Sequence, residues 1–300
     1  MKLAELSPAA LAGRLHDGLI LHTPPFSFRL RSPLAHLHQA LRLAYADYSI
    51  AADGAYDFDL HIAPVSGPRR WLRPLIRIEV DGARPFEVLP SAHAFPLLEW
   101  AMNWCVTSTA HHYTLCHSAV LAHRDRAVLL PAPPGSGKST LCAALALSGW
   151  RLLSDELALI APTSLAIHPC VRPVSLKNAS IAIIRERFPA ARLTPEVFDT
   201  IKGTVAHLAP PALALDHAHV PARPTWVILP QYRQGATTTL QPLVRAEATA
   251  ELARNCFNLV GIGTLAFDTL AGLCDTAQCY RLEYASLDEA IALFGQLATA

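Results

Sequence analysis

Residues 127–160 read AVLLPAPPGSGKSTLCAALALSGWRLLSDELALI, and no other stretch narrows so sharply what this 300-residue chain can fold into. A short apolar run, Ala127 to Ala132, predicts a strand. Two prolines and a Gly-Ser-Gly turn follow it. Lys138 then opens a run of alanine and leucine, the residues that favour helix most strongly. Gly149 stops that run, as glycine does at the position after a helix end. RLLSDELALI, from Arg151 to Ile160, predicts the next strand. Strand, loop, helix and strand in that order are the unit of an α/β fold.

The loop has the chemistry of a phosphate cradle. A phosphate-binding (Walker A) loop reads G-x-x-x-x-G-K-[S/T] between a strand and a helix. Here Ala132 stands at the first glycine and the remainder, through Gly137, Lys138 and Ser139, fits. The amides of Gly135, Ser136, Gly137, Lys138, Ser139 and Thr140 would converge on an anion at the positive end of the helix. Gly135 and Gly137 permit backbone turns and close approach that a side chain blocks. Lys138 offers a mobile positive charge to the outer phosphates, and Ser139 a hydroxyl to Mg²⁺. Pro133 and Pro134 have no amide to donate and would stiffen the loop. Ala132 matters only if its position needs positive φ. Asp155 and Glu156 close the RLLSDE segment seventeen residues after Lys138. Two carboxylates beside a γ-phosphate can divide the work, one holding Mg²⁺ and one accepting the proton of an attacking hydroxyl. The plainer alternatives are a glycine-rich turn in a protein without nucleotide and a solvated acidic pair.

CHSAVLAHRDRAVLLPAPPGSGKSTLCAALALSGWRLLSDELALI resembles the core of the HPr serine kinase/phosphorylase group. It is closest to the divergent HPr-kinase-related kinases of the A type, and is also similar to the lasso-peptide precursor kinases. The likeness is clearest from Leu115 to Ile160, and RPVSLKN (Arg172–Asn178) and KGTVAHLAPP (Lys202–Pro211) resemble later segments of the related-kinase subgroup. The resemblance implies a P-loop kinase core of the HPr kinase/PEP-carboxykinase type. It implies that His117 lies beside the transferred phosphate, that Asp155 is the base and that Glu156 replaces the second acid of an Asp-Asp pair. The later glycine-rich signature of true HPr kinases is missing, which leaves open both HPr itself as a substrate and the reverse, phosphorylase-type reaction. Lys177, Lys202 and Arg233 are further candidates for stabilising charge on a phosphoryl group. The resulting expectation is an ATP- and Mg²⁺-dependent kinase acting on a hydroxyl, serine above all, of a small protein or peptide. Catalysis would rest on Asp155, His117 and Lys138, and the metal on Ser139, Asp155 and Glu156. The resemblance also suggests a small PqqD-like peptide-binding partner; self-association stays open. A small-molecule alcohol kinase and a non-catalytic ATP-binding switch or assembly module are the alternatives.

The rest of the chain sets the frame. Hydrophobic residues make up 52%, ample for a large core. The 25 basic and 24 acidic residues leave a net charge of +1 with no basic cluster, which argues against a nucleic-acid surface. No apolar run reaches the ~18 residues of a membrane span, and Glu5 interrupts any export signal. Seven cysteines without a C-x-x-C pair predict reduced thiols and a cytoplasmic location. The close histidines, His111-His112 and His217/His219, have no Cys or carboxylate at ligand spacing.

Two regions are expected: a β-rich stretch with short helices over 1–92, mainly antiparallel, and a P-loop kinase-like domain over 93–300. In the first, FSFRLR, DFDLHI and LIRIEVDGARPFEVL alternate as strands, with a turn at Asp81-Gly82 and continued alternation through Phe86 and Val88. Ser32-Pro33 should open a helix bearing Leu34, Leu37 and Leu41. In the second, AFPLLEWAMNWCVTSTAHHY predicts a helix buried all round. Short strands are expected at LAIHPCV and TWVILP, a helix start at Thr194-Pro195, a surface loop at 209–224, and a closing helix with the capping box Ser286 to Glu289.

Overall fold

Alternating side chains along Phe26–Arg31, Phe58–Pro64 and Leu75–Val80 form strands with one face buried, as their period requires. The structure is a computed structural model and describes residues 1–67, 73–133 and 135–299. It is a mixed α/β chain in two units. The first unit takes Met1–Ser108, then Ser175–Ile181 and Arg192–Ala209; the second takes Thr109–Val174, Ala182–Ala191 and Pro210–Ala300. Among the described residues no helix is long and apolar enough to cross a membrane.

The first unit opens with α1 (Pro8–Asp17), whose amide at Ala10 donates to the Ser7 hydroxyl. There follow β1 (Leu19–Thr23), β2 (Phe26–Arg31), α2 (Ala35–Ala44), β3 (Ile50–Ala51), β4 (Phe58–Pro64), β5 (Leu75–Val80), β6 (Leu89–Pro90) and α3 (Ala94–Thr109). The sheet order is β3-β1-β2-β4-β5-β6. It is mixed rather than antiparallel, because β2 and β4 run parallel. The chain between them includes α2, the kind of crossover a parallel pair needs.

Three local expectations change here. The Ser32 hydroxyl accepts from the Leu34 amide, but α2 begins only at Ala35. The Asp81-Gly82 turn forms, with φ of +50° and +78°, yet the alternation stops after Ala83. Pro85 has no amide for a ladder, so Phe86 leaves the sheet and packs on Trp100 and Trp104 at 5.0 and 5.8 Å. α3 ends at Thr109, and it is not buried all round: Trp100 is 51% and Trp104 38% exposed.

From Thr114 the chain forms β7 (Thr114–His123), β8 (Arg126–Pro131), α4 (Lys138–Leu147), β9 (Arg151–Ser154), β10 (Leu157–Ile160) and β11 (Ile167–His168). Then come β12 (Val174–Lys177), α5 (Ala179–Arg187), β13 (Val197–Thr200), β14 (Gly203–Leu208), α6 (Ala212–Asp216), β15 (Arg223–Tyr232), β16 (Thr239–Pro242), α7 (Arg245–Arg254), α8 (Leu259–Ile262), α9 (Thr264–Thr276), β17 (Gln278–Tyr284) and α10 (Leu287–Thr299). Thr194-Pro195 starts no helix. The Thr194 amide and hydroxyl are both taken up by the His207 backbone, and β13 follows. The 209–224 stretch holds α6, with Ala214 buried. α10 is capped as expected at Ser286, but Glu289 accepts from Thr238 at 2.5 Å.

The large sheet of the second unit runs β11-β10-β7-β8-β15-β17-β16, with β9 also on β7. β8, β15 and β17 are parallel to one another. Cys116, Val120, Ala122, Leu129 and Val227 share a fully buried cluster with Leu252 of α7 and Leu270 and Leu273 of α9. α4, whose side chains are absent from that cluster, lies against β7 and β9 with α10 packed on it. Its apolar residues are enclosed on almost every side, which suits a sequence of alanine and leucine with no polar face.

Candidate functional site

The register of β7 assembles the sequence-predicted residues. β8 pairs along one edge of β7, with Ser118 opposite Pro131, the last residue before the loop. β9 and β10 follow one another along the other edge, with Val120 opposite Ser154 and His117 opposite Leu157. The ladder bulges at Leu153 and opens over Asp155 and Glu156. Bulges re-aim side chains beside sites of this kind. The Ser154 hydroxyl accepts from the amides of Glu156 (3.3 Å) and Leu157 (2.9 Å), and the Glu156 carbonyl accepts from Ser118 N at 3.2 Å. The loop entry, His117-Ser118 and Asp155-Glu156 therefore stand on three adjacent strands, spaced by about 4.8 Å each.

Within the loop, positive φ among the described residues falls on Gly135 (+86°) and Gly137 (+85°). Ala132 is buried without it, so the missing first glycine imposes no strain. Pro134 lies outside the described residues. Gly137 is the N-cap of α4 and has no side chain to cap it, so the loop leads straight into the amide end of the helix. The two glycines differ in surroundings. A Cβ on Gly135 would meet nothing within 4 Å, whereas one on Gly137 would stand 2.5 Å from the Tyr284 hydroxyl oxygen and 2.9 Å from Tyr232 Cβ. The loop is thus open above Gly135 and closed behind Gly137. Tyr284 Oη donates to the Gly137 carbonyl at 3.2 Å, and Tyr232 N to the Ser136 carbonyl at 2.9 Å.

Lys138 and Asp155 are both buried, at 8% and 5% exposure. Cys142, one turn into α4, feels both of them. Burial first, then the negative charge of Asp155, push its thiol well above the usual range, while Lys138 opposes the shift; Cys142 also hydrogen-bonds Asp155. The strand-end acid therefore lies against the first turns of the helix that the loop lysine opens. The Ser136 hydroxyl is enclosed and makes no hydrogen bond among the described residues. A helix start without a side-chain cap, an open glycine, an enclosed hydroxyl, a buried lysine and a buried aspartate fit a phosphate group with a divalent cation, with Ser139 half-buried on the first turn of α4. His117 is half-buried, and its ring stacks on Phe257 at 5.9 Å and 26°. Its amide donates to the Asn255 carbonyl at 2.7 Å.

The remaining candidates divide between units. Arg233 follows β15 in the second unit; its amide donates to the Tyr284 carbonyl and its guanidinium pairs with Glu283 at 3.3 Å. Lys177 and Lys202 belong to the first unit, whereas the loop, His117, Asp155 and Glu156 belong to the second. The first unit also has a pocket of about 670 Å³ lined by His36, Gln39, His93, Phe95, Glu196 and Phe198 among others. No sequence-predicted site residue lines it.

Sequence reasoning missed Tyr232, Tyr284 and the turn Asn255–Asn258. Asn258, 3% exposed, accepts from Leu115 N (3.0 Å) and donates to the Tyr113 carbonyl (2.8 Å), which holds that turn along β7. An isolated asparagine before a four-residue helix carries no distinctive signal, and nothing local marks the two tyrosines. Compared with models of known protein families and with curated proteins, the chain matches none.

Proposed function

We propose that this protein is a kinase of the HPr-kinase-like type, transferring the γ-phosphoryl group of ATP to a hydroxyl, serine above all, of a small protein or peptide. The observation that carries the reading is the loop itself, with Gly135 and Gly137 at positive φ and open space above Gly135, leading into a helix that starts at a buried Lys138. Loops at the C-terminal ends of parallel strands are where α/β proteins gather their ligand sites, and this loop follows β8.

The amides of Gly135 to Thr140 and the Lys138 ammonium hold the outer phosphates. Ser139 and a carboxylate of the Asp155-Glu156 pair would hold Mg²⁺, which would supply positive charge to the phosphate oxygens. Asp155 accepts the proton of the attacking hydroxyl. Its burial keeps the carboxylate out of bulk water, beside the helix that the loop opens. His117, on the adjacent strand, donates to the transferring group. Phosphoryl transfer asks little covalent chemistry of a protein, so positioning and charge carry the rate.

The test pairs nucleotide binding with transfer. Asp155→Asn should keep ATP affinity within a few-fold and lower transfer of labelled phosphate from ATP to a serine peptide by about 10²–10⁴-fold. Unchanged transfer removes Asp155 as the base. Wild-type protein that fails to bind ATP with Mg²⁺ overturns the whole reading, and binding without transfer to peptides or alcohols points to a nucleotide-dependent switch.

A further inference from the structure

Two cysteines outside the proposed chemistry face each other across a strand pair. Cys116 of β7 and Cys256, just after α7, form an antiparallel bridge. The hydrogen bonds flanking it, His117 N to the Asn255 carbonyl (2.7 Å) and Phe257 N to the Leu115 carbonyl (2.8 Å), make it a non-hydrogen-bonded pair. In such pairs the Cα atoms are about 4.5 Å apart and the side chains closest. That spacing lies at the short end of the 4.4–6.8 Å range that a disulfide spans. The Cys116 thiol donates to the Leu252 carbonyl at 3.8 Å and the Cys256 thiol to Asn258 Oδ1 at 3.6 Å, and each sulfur is near enough to shift the other's acidity. Cys116 is fully buried and Cys256 is partly exposed, so of the two residues Cys256 is the one that solvent meets.

We propose that Cys116 and Cys256 form a reversible disulfide that fastens the turn after α7 to β7, one residue from His117. Hydrogen peroxide is a sufficient oxidant. The Cys256 thiolate attacks a peroxide oxygen, the O–O bond breaks, and the hydroxide that leaves takes up the proton the thiol had released, giving Cys256 sulfenic acid and one water. The Cys116 sulfur then attacks the Cys256 sulfur; the S–O bond breaks, and the hydroxyl leaves with the Cys116 proton as a second water. Two thiols have lost two hydrogens to one peroxide. Oxidised glutathione gives the same product by two thiol–disulfide exchanges that release two molecules of glutathione.

The second thiol pair, Cys274 and Cys279, is less suited. Both are buried, at 0% and 7% exposure, and the Cys279 sulfur is turned to the carbonyls of Cys274 and Ala277 at 4.0 and 3.8 Å. Burial in apolar surroundings leaves a thiol inert. The partner thiol lowers Cys274 as Cys116 lowers Cys256, which is held at about 7; the pairs differ in that Cys256 is partly exposed.

The test uses the full chain, reduced and freed of reductant, then exposed to hydrogen peroxide or to oxidised glutathione at neutral pH. After alkylation, chymotrypsin, cutting after Tyr113 and Phe257, separates Cys116 from Cys105 and Cys256 from Cys274. Mass mapping without reduction should show a Cys116–Cys256 peptide, loss of two of the seven thiols, and recovery of both with dithiothreitol. Amide exchange at His117 should slow in the oxidised protein. Cys256→Ser and Cys116→Ala, each judged only if its melting profile matches wild type, should both abolish the cross-link. Sulfinic acid or a lasting glutathione adduct on Cys256 with Cys116 still alkylatable overturns the proposal, as does a cross-link confined to Cys274 and Cys279.

Discussion

Replacing Gly137 with alanine loads two separate costs on one atom. The residue sits at φ +85°, where an L side chain costs about 1–2 kcal/mol. The new Cβ would also stand 2.9 Å from Tyr232 Cβ, an atom fixed to the β15 backbone, and 2.5 Å from the hydroxyl of Tyr284, a ring 2% exposed. Neither neighbour can swing clear, and overpacking of that kind costs about 1–3 kcal/mol. The expected loss is therefore about 2–5 kcal/mol, against about 1–2 kcal/mol for Gly135→Ala, which has the same φ and open space. Scanning calorimetry separates the two. With roughly 2–4 °C per kcal/mol for a unit of this size, Gly137→Ala should melt about 4–20 °C below wild type. Adding Tyr284→Phe removes the oxygen at 2.5 Å but leaves Tyr232 Cβ in place, so recovery should be partial. A Gly137→Ala protein within about 2 °C of wild type, or equal losses for the two glycines, would refute the packing argument.

Two further outcomes follow from the turn behind His117. Asn258→Ala leaves Leu115 N and the Tyr113 carbonyl without their partner, and at about 1–3 kcal/mol per buried unsatisfied group it should cost roughly 2–4 kcal/mol by denaturant unfolding. Loss under 0.5 kcal/mol, on the order of a neutral surface change, would mean that the turn holds without it. Cys256 should alkylate faster as pH rises through about 7, because the thiolate is the reactive form and the Cys116 hydrogen bond favours it. Cys116→Ala removes that donor, so the midpoint should move up toward the ordinary thiol range; iodoacetamide pulses read by mass mapping would show it, and an unmoved midpoint would assign the shift to another donor.

Elements set by neighbours in sequence were readable, and those set by distant partners were not. Leu75–Val80 alternates strictly and is half-buried strand, and the Asp81-Gly82 turn follows from two residues that accept positive φ. The same pattern seemed to continue to Val88, but Pro85 ends it. Thr194-Pro195 has the local form of a helix start, and the His207 backbone claims both Thr194 groups instead. The β2–β4 pairing is parallel because the chain between them crosses over, which alternation along either strand does not encode. α7, with a polar sequence, gave no clear periodic signal, and its burial comes from Ala248 and Leu252 alone among its aliphatic residues.

The site divides along the same line, and the division explains which of its features a sequence can announce. A glycine at positive φ and a lysine opening a helix are demands made within ten residues, so the loop was visible even with alanine at its first position. What makes Gly137 indispensable, by contrast, is Tyr284, 147 residues further along the chain. That contact exists only because β8, β15 and β17 lie side by side and deliver Tyr232 and Tyr284 to the same end of the sheet as the loop. The pairing of His117 with the Asp155 turn is equally non-local, set by a register in which a one-residue slip would send His117 to the α7–α9 face and Cys116 toward α4. The loop's backbone is thus specified locally and its surroundings by register. A variant that shifts the β7 register should abolish the site while leaving the glycine–lysine sequence intact.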